Sequence, residues 1–417
     1  MENKDYFKAI TYSINEDVKS ENYVYTDDLL KLINDDELKE AIINKYNLDT
    51  NLKIENNKIE YLYNLVKQYS ERFTLIRLEA QEKDVTCELK SEEVTGKPIY
   101  IFHIKNGNEG ELLYDSIHAE AIYDSINLFY SSKSLSQYVK SLKKVPAKRG
   151  LLNDLNDSWS KYYNNNENAS KAKLFRILNH KENYYLKSIN TSAYKEYGIA
   201  ESFVMTILEL DKFKKQNPDV EFIISSVSIS ESKLDIIISQ KKSIELESLG
   251  FLRSSISIRN KDQGNTSFGV YSTLEFYPKN NNGNKIYLFP KEDKNKIKNS
   301  VTSNHTVSIE TFIKTFSNIN ELFNSGEQLK QDFHFYQKSK NYDELRAKIE
   351  FKMISHNSPF KNITRLKELF SRKNTGHIEN LEKLLRVCAE SDSIEMEYDL
   401  KFKLRYLISN VLLYNKY

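Results

Sequence analysis

The strongest constraint on this chain is a stretch of period-two sequence in its middle. Residues 220–229 and 234–239 are dense in Ile, Val and Ser, and the polar tetrapeptide Ser230, Glu231, Ser232 and Lys233 lies between them. Side chains on a strand alternate between faces, so such runs separated by a short polar break predict a β-hairpin. Residues 252–259 and 269–276 repeat the pattern around a loop containing Asn260 and Gly264, and residues 286–289 add a short strand. Long antiparallel hairpins at the centre are therefore expected, with helices on either side in sequence.

The flanks carry the helical signals. Thr26 followed by Asp27 and Asp28 reads as a capped helix start. Ile59, Leu62, Tyr63 and Val66 predict a helix over residues 59–70, and residues 194–210 predict another. From Phe73 the period falls to two, giving three strands with a turn at Lys105, and residues 118–130 return to helical spacing. After Ser308 the chain reads as helical through Ile309, Phe312, Ile313, Phe316, Ile319 and Phe323, with similar patterns over residues 378–387 and 400–412. The expected class is α+β: an acidic helical N-terminus with a small antiparallel sheet, a central mixed α+β domain with long β-hairpins, and a helical C-terminal region. The expected divisions are 1–70 (acidic helical segment), 71–147 (small α+β domain), 148–307 (central domain) and 308–417 (helical region). The main boundary falls in the basic, Pro- and Gly-containing segment 140–150.

Charge bears on function through its distribution. The 417 residues carry a net charge of +2, which excludes a bulk polycation. Residues 1–60 hold 14 acidic and 8 basic side chains, a local −6 that leaves +8 for the rest. Three basic clusters follow. Lys140, Lys143, Lys144, Lys148 and Arg149 form the first; Lys279, Lys285, Lys291, Lys294, Lys296 and Lys298 the second; Lys361, Arg365, Lys367, Arg372 and Lys373 the third. Arg253 and Arg259 lie near the 260–264 loop, which could cradle phosphate as a backbone nest. Tyr162, Tyr163, Tyr184, Tyr185, Tyr277 and Tyr287 are candidates for stacking on unpaired bases. His305 is a candidate phosphate donor or base, with a helix-entry role as the simpler reading.

One pattern suggests catalysis. Pro218 and Asp219, followed by Glu231 and Lys233, match the letters of PD-(D/E)xK nucleases, in which two carboxylates hold a divalent metal and a lysine faces the scissile phosphate. Strand position i and i+2 would be required for Glu231 and Lys233, whereas a hairpin turn is the simpler reading. No cofactor is expected unless this nuclease alternative holds, in which case Mg2+ would be needed. The two cysteines, Cys87 and Cys388, show no ligand or disulfide spacing and read as buried small hydrophobes. No basic stretch followed by an apolar run opens the sequence, and a cytoplasmic location is expected. No phosphate-loop, dinucleotide or serine-hydrolase motif is present.

The run from Phe175 to Tyr185, the 255–268 segment with Asn260 and Gly264, and the His305–Thr306 pair ahead of a helix resemble a phage and plasmid family known as a domain of unknown function (number 932). The resemblance covers residues 148–340. It implies a mobile-element or host–phage setting with DNA as a neighbour, and Tyr-, Asn-, Lys- and Ile-rich usage fits the AT-rich genomes of some bacteria and their phages. The reading is a nucleic-acid-associated protein of a phage, plasmid or anti-phage defence locus, binding DNA or RNA through its Lys/Arg clusters. Alternatives are the metal-dependent nuclease and a structural or interaction component that assembles through its acidic N-terminus or C-terminal helices. No membrane partner is expected.

Overall fold

The structure, a computed structural model, describes residues 5–14, 19–92, 96–166, 169–246, 249–264, 267–279, 283–289, 300–323 and 341–414. It has the expected α+β class, built around two sheets.

The N-terminal third begins with strand β1 (Ile10–Ser13), followed by β2 (Tyr23–Tyr25), helix α1 (Thr26–Lys31), α2 (Asp36–Tyr46), β3 (Lys53–Glu55) and α3 (Ile59–Ser70). Thr26 is not the cap expected from sequence: it lies inside α1, and its hydroxyl accepts from Leu52 N at 2.9 Å, tying α1 to the β3 approach. In α2 the cap is Asp35, whose carboxylate accepts from Leu38 N at 3.0 Å, and Asn47 closes the helix at φ 53°.

Next come β4 (Thr74–Gln81), β5 (Val85–Ser91), β6 (Pro98–Glu109) and β7 (Leu112–Ala121), then α4 (Ser125–Ser131), α5 (Ser136–Leu142) and α6 (Gly150–Asn165), and then β8 (Ala172–His180) and β9 (Asn183–Asn190). Two local expectations change. β6 runs through Lys105, so the turn falls at Gly110 instead, and the helix expected from His118 starts only at Ser125 because β7 continues to Ala121.

These strands form one six-stranded sheet in the order β4-β8-β9-β7-β6-β5, with a further β4–β6 bridge at Glu79 and Asn108 that curls it toward closure. Gly107 permits the curl: a Cβ there would lie 2.6 Å from the Leu78 side chain. The boundary drawn at 147/148 therefore falls within a single sheet. β8 pairs with β4 along its length, and Leu152 and Phe175 share a core with Ile76, Phe102 and Ile117.

The second sheet follows α7 (Ile199–Gln216) and comprises β10 (Phe222–Ile229), β11 (Lys233–Gln240), β12 (Ile244–Leu246), β13 (Gly250–Lys261), β14 (Ser267–Pro278), β15 (Ile286–Leu288) and β16 (Ser300–Asn304), with β1 on its edge beside β10. The two central hairpins fall where the alternation places them. Gly250 is required where β13 begins, since a Cβ at its φ of +147° would meet Tyr277 O at 1.9 Å.

The remaining helices are α8 (Ile309–Phe316), α9 (Tyr342–Ile354), α10 (Thr364–Phe370), α11 (Arg372–Thr375), α12 (Leu381–Ser393) and α13 (Tyr398–Tyr414). Neither the 70/71 nor the 307/308 division marks a separate core. Leu62 of α3 and Phe312 of α8 pack in one core with Phe203 of α7 and with Ile236 and Ile256 of the sheet. Helices α9, α10, α12 and α13 share a second core with Leu274 and Phe276. Ile256 and Ile258 thus face α7, while the intervening Ser255, Ser257 and Arg259 face the opposite way, where Arg259 meets Phe402 and Tyr406 of α13. Cys87 and Cys388 are buried free thiols, as expected. No helix among the described residues is long and apolar enough to cross a membrane.

Candidate functional site

The two sheets meet through a buried ionic network, and a β-bulge builds it. Arg176 of β8 pairs with Ser188 and Ile177 with Leu186, so Lys187 is the extra residue on β9. Such a bulge re-aims a side chain, and here both Arg176 and Lys187 are buried. Lys187 Nζ donates to Glu231 Oε1 at 2.6 Å and to Asp262 Oδ2 at 2.7 Å. Arg176 Nη2 donates to the same Asp262 oxygen at 2.7 Å, and its Nε donates to Glu196 Oε1 at 2.9 Å. Arg77 Nη1 reaches Glu196 Oε1 at 2.7 Å from β4.

Hydroxyls and amides complete the network. Tyr194 OH donates to Asp262 Oδ1 at 2.5 Å, and Tyr123 OH donates to Glu231 Oε2 at 3.0 Å. Asn260 holds the start of α7, donating to Tyr197 O, Gly198 O and Ser202 Oγ at 2.5, 2.6 and 2.8 Å. His305 stacks on the Tyr194 ring at 5.0 Å, and its carbonyl accepts from Lys195 N at 2.7 Å. Among the described residues neither ring nitrogen of His305 has a hydrogen-bond partner.

The electrostatics are those of a lock. Burial alone would raise the Asp262 carboxyl, but Arg176 and Lys187 hold it well below the usual carboxylate range. Burial opposes the charge on Lys187, yet Asp262 and Glu231 keep its ammonium above its ordinary value. Burial lowers His305 and raises Glu201 to about 8. Glu201 Oε2 accepts from Gly198 N at 2.8 Å, capping α7 beside the network. A cleft of about 860 Å³ opens over Arg77, Glu196, Glu201, Glu231 and Asp262. Of these, Arg77, Glu196, Glu231 and Asp262 are already engaged within the network.

The nuclease letters do not converge. Asp219 is exposed in the turn before β10, while Glu231 and Lys233 sit at the opposite end of that strand, in and just after the β10–β11 turn. Glu231 belongs to the network above, and Lys233 Nζ instead donates to Asp399 Oδ2 at 2.9 Å. Among the described residues no group of three His, Cys, Asp or Glu side chains is placed to hold a metal ion.

The basic candidates separate into exposed and enclosed sets. Lys143, Lys144 and Lys148 are exposed and Arg149 is half-buried; Lys140 pairs with Asp124 at 3.1 Å. Among the described residues Lys144 and Lys148 make no ion pair. Arg365, Arg372 and Lys373 are also exposed, but on the C-terminal helices, which belong to a different core. Arg259 is a correction: its guanidinium lies 3.7 Å from the Phe402 ring centroid and 4.5 Å from that of Phe289, so it is not a surface contact. Arg253 is likewise held against Tyr277 and Glu275. Both residues read as neighbours of the loop in sequence, and the rings of Phe289, Phe402 and Tyr406 that enclose Arg259 come from distant segments. Lys291, Lys294, Lys296 and Lys298 lie outside the described residues. Of the stacking candidates, Tyr163, Tyr185 and Tyr287 are buried, Tyr184 and Tyr277 are half-buried, and Tyr162 is exposed.

A basic and aromatic surface that sequence reading did not assemble surrounds Tyr162. Trp159 packs edge-on to Tyr162 at 5.3 Å, and Lys133 Nζ lies 5.4 Å from the Trp159 ring and 3.7 Å from that of Phe129. Burial among these rings lowers Lys133 to about 8. Lys83 N donates to the Ser170 hydroxyl at 3.1 Å and Glu82 N to Lys171 O at 3.0 Å, which joins the segments that carry Lys83 and Lys171. Tyr138, Val145, Leu151 and Tyr162 supply exposed apolar area along α5 and α6. Sequence reading names Tyr162 and Tyr163, but Phe129 and Lys133 come from a segment that only the fold brings to Trp159 and Tyr163.

Compared with known proteins, the chain matches no family model, no curated protein sequence and no solved structure.

Proposed function

We propose that the chain binds nucleic acid through the surface of α5 and α6 and the segment between them. The observation that carries this reading is the exposure of Lys143, Lys144 and Lys148 in the segment between α5 and α6, with Tyr138 exposed on α5 and Tyr162 exposed near the far end of α6. Lysines attract phosphates, and an exposed aromatic ring stacks on an unpaired base whatever its sequence. The resemblance of residues 148–340 to a phage and plasmid family supports a phage, plasmid or anti-phage defence setting for that binding.

Titration of fluorescent single- and double-stranded DNA and RNA at increasing salt tests the reading. Contacts to several phosphates make log affinity fall linearly with log salt, by about 0.7 per contact for single strands. The Lys144→Glu/Lys148→Glu variant is expected to flatten that slope. Tyr162→Ala is expected to cost about 1–3 kcal/mol for each base it stacks. Absence of salt-sensitive binding to every nucleic acid tried ends the proposal.

A further inference from the structure

Helix α6 carries an apolar and aromatic row that the core leaves partly uncovered. Leu151, Leu155, Trp159 and Tyr162 recur at a spacing of three or four residues, so they share one side of the helix. Leu151 and Tyr162 are 39% and 46% exposed, and Leu155 and Trp159 between them are half-buried. The covered side lies next to this row: Leu152 and Tyr163 are buried, and Asn156 Nδ2 donates to Cys87 O of β5 at 2.8 Å. The two carboxylates of α6, Asp154 and Asp157, follow a different row together with Lys161. Exposed Lys143, Lys144 and Lys148 stand just ahead of Leu151. From Leu151 to Tyr162 the row runs about 17 Å at the helical rise, or about five phosphates at the 3.4 Å spacing of one stacked strand.

The far end of the row is held in one geometry. The Trp159 and Tyr162 rings meet edge-on at 5.3 Å with an interplanar angle of 88°, and Trp159 also packs on Tyr163 at 5.8 Å. The Lys133 ammonium lies 5.4 Å from the Trp159 ring and 5.7 Å from that of Tyr163. The carboxylate that attracts Lys133 is Glu82, which is buried and accepts from Tyr163 OH at 3.5 Å. Braced on these partners, Trp159 is a positioning residue that fixes the plane of Tyr162, whose ring stays exposed. A ring ordered in advance takes a flat π-face at little further entropic cost. A helix that reads a duplex meets polar base edges in the major groove with hydrogen-bonding side chains. Leu151 and Leu155 cannot bond those edges, whereas the exposed Tyr162 face takes a base only when that base is unpaired.

We infer, on the reading that this surface binds nucleic acid, that its ligand is a single strand lying along α6, with phosphates on Lys144 and Lys148 and an unpaired base on the Tyr162 ring. The chain's one tryptophan, Trp159, lies against that ring and reports on it. Oligothymidylate of about twelve nucleotides exceeds the length of the row. The test reads the anisotropy of this strand, end-labelled, and the Trp159 fluorescence of the full chain with the unlabelled strand. Both are repeated with the strand annealed to oligodeoxyadenylate, and with oligouridylate to distinguish RNA from DNA. A single strand is expected to quench Trp159 saturably, over the concentrations that raise anisotropy, and to bind at least about tenfold more tightly than the duplex. Tyr162→Ala is expected to weaken the single strand at least about fivefold and to leave the duplex unchanged, while Tyr162→Phe retains binding. Should Tyr162→Ala fail to fold, quenching in the unaltered chain decides. Single-strand binding without quenching, duplex binding as tight or tighter, or undiminished affinity in Tyr162→Ala overturns the single-strand assignment and leaves nucleic-acid binding by this surface standing. Absence of binding to every probe overturns both.

Discussion

The junction between the sheets and the face under α13 both bury charge, but they balance it differently. At the junction Arg77, Arg176 and Lys187 meet Glu196, Glu231 and Asp262, three charges of each sign, and burial favours the uncharged form of Glu201. Under α13 Asp392 takes both arms of Arg405, Glu275 lies between Lys285 and Arg253, and Arg259, 3.6 Å from Asp235, is enclosed by the rings of Tyr271, Phe289 and Phe402. Matched charge with bonded donors fixes one geometry and joins two layers. Under α13 aromatic faces share the work of holding a buried guanidinium. The contrast shows two ways of holding buried cations, by carboxylates alone or by carboxylates together with ring faces, and neither is written as a sequence motif.

Four tests, one of them a double change, bear on this contrast. Asp262→Ala leaves Arg176 and Lys187 without their shared carboxylate and is expected to destabilise the fold by about 3–5 kcal/mol in urea unfolding. A loss below about 1 kcal/mol would place the network among solvent-screened pairs. Lys187→Met is expected to cost slightly less, since Asp262 keeps Arg176, and adding Glu231→Leu is expected to restore part of the loss by removing a stranded carboxylate.

The third change is a test of pH. Folded Glu201 holds its proton up to about 8, against 4.5 for the ordinary carboxyl. Between those values the folded state carries the extra proton, so this group makes stability fall as pH rises, by up to about 1.4 kcal/mol per unit. Glu201→Gln keeps an acceptor for Gly198 N and is expected to remove that slope, which unfolding curves across the window will show. The smallest effect is expected from Lys241→Ala. Its partner Glu221 lies 2.7 Å away, but both side chains are 63% exposed, so the loss should stay within about 1 kcal/mol.

What sequence could reveal followed the range of the interactions. The β10–β11 and β13–β14 hairpins and α3 were legible because their periodicity is local. The six-stranded sheet was not, because Glu120 and Ala121 of β7 pair in parallel with Tyr185 and Leu186 of β9, across three helices and a strand. Lys187 and Asp262 carry no motif; a bulge and the end of a strand bring them together. Glu231 drew notice as a nuclease letter, yet its partners are Lys187 and Tyr123. Arg259 looked like a phosphate contact because a single sequence does not show that Phe289, Phe402 and Tyr406 close around it.

The edge position of β1 has a consequence for biosynthesis. Thr11 meets Ser228 through their hydroxyls at 2.8 Å, across a sequence separation of 217 residues. A chain leaving the ribosome therefore exposes its first strand before β10 exists, and loop closure of that length delays the pairing further. Until then the segment is an unpaired strand open to other chains, so the order of synthesis exposes an aggregation-prone edge that the finished sheet covers on one side.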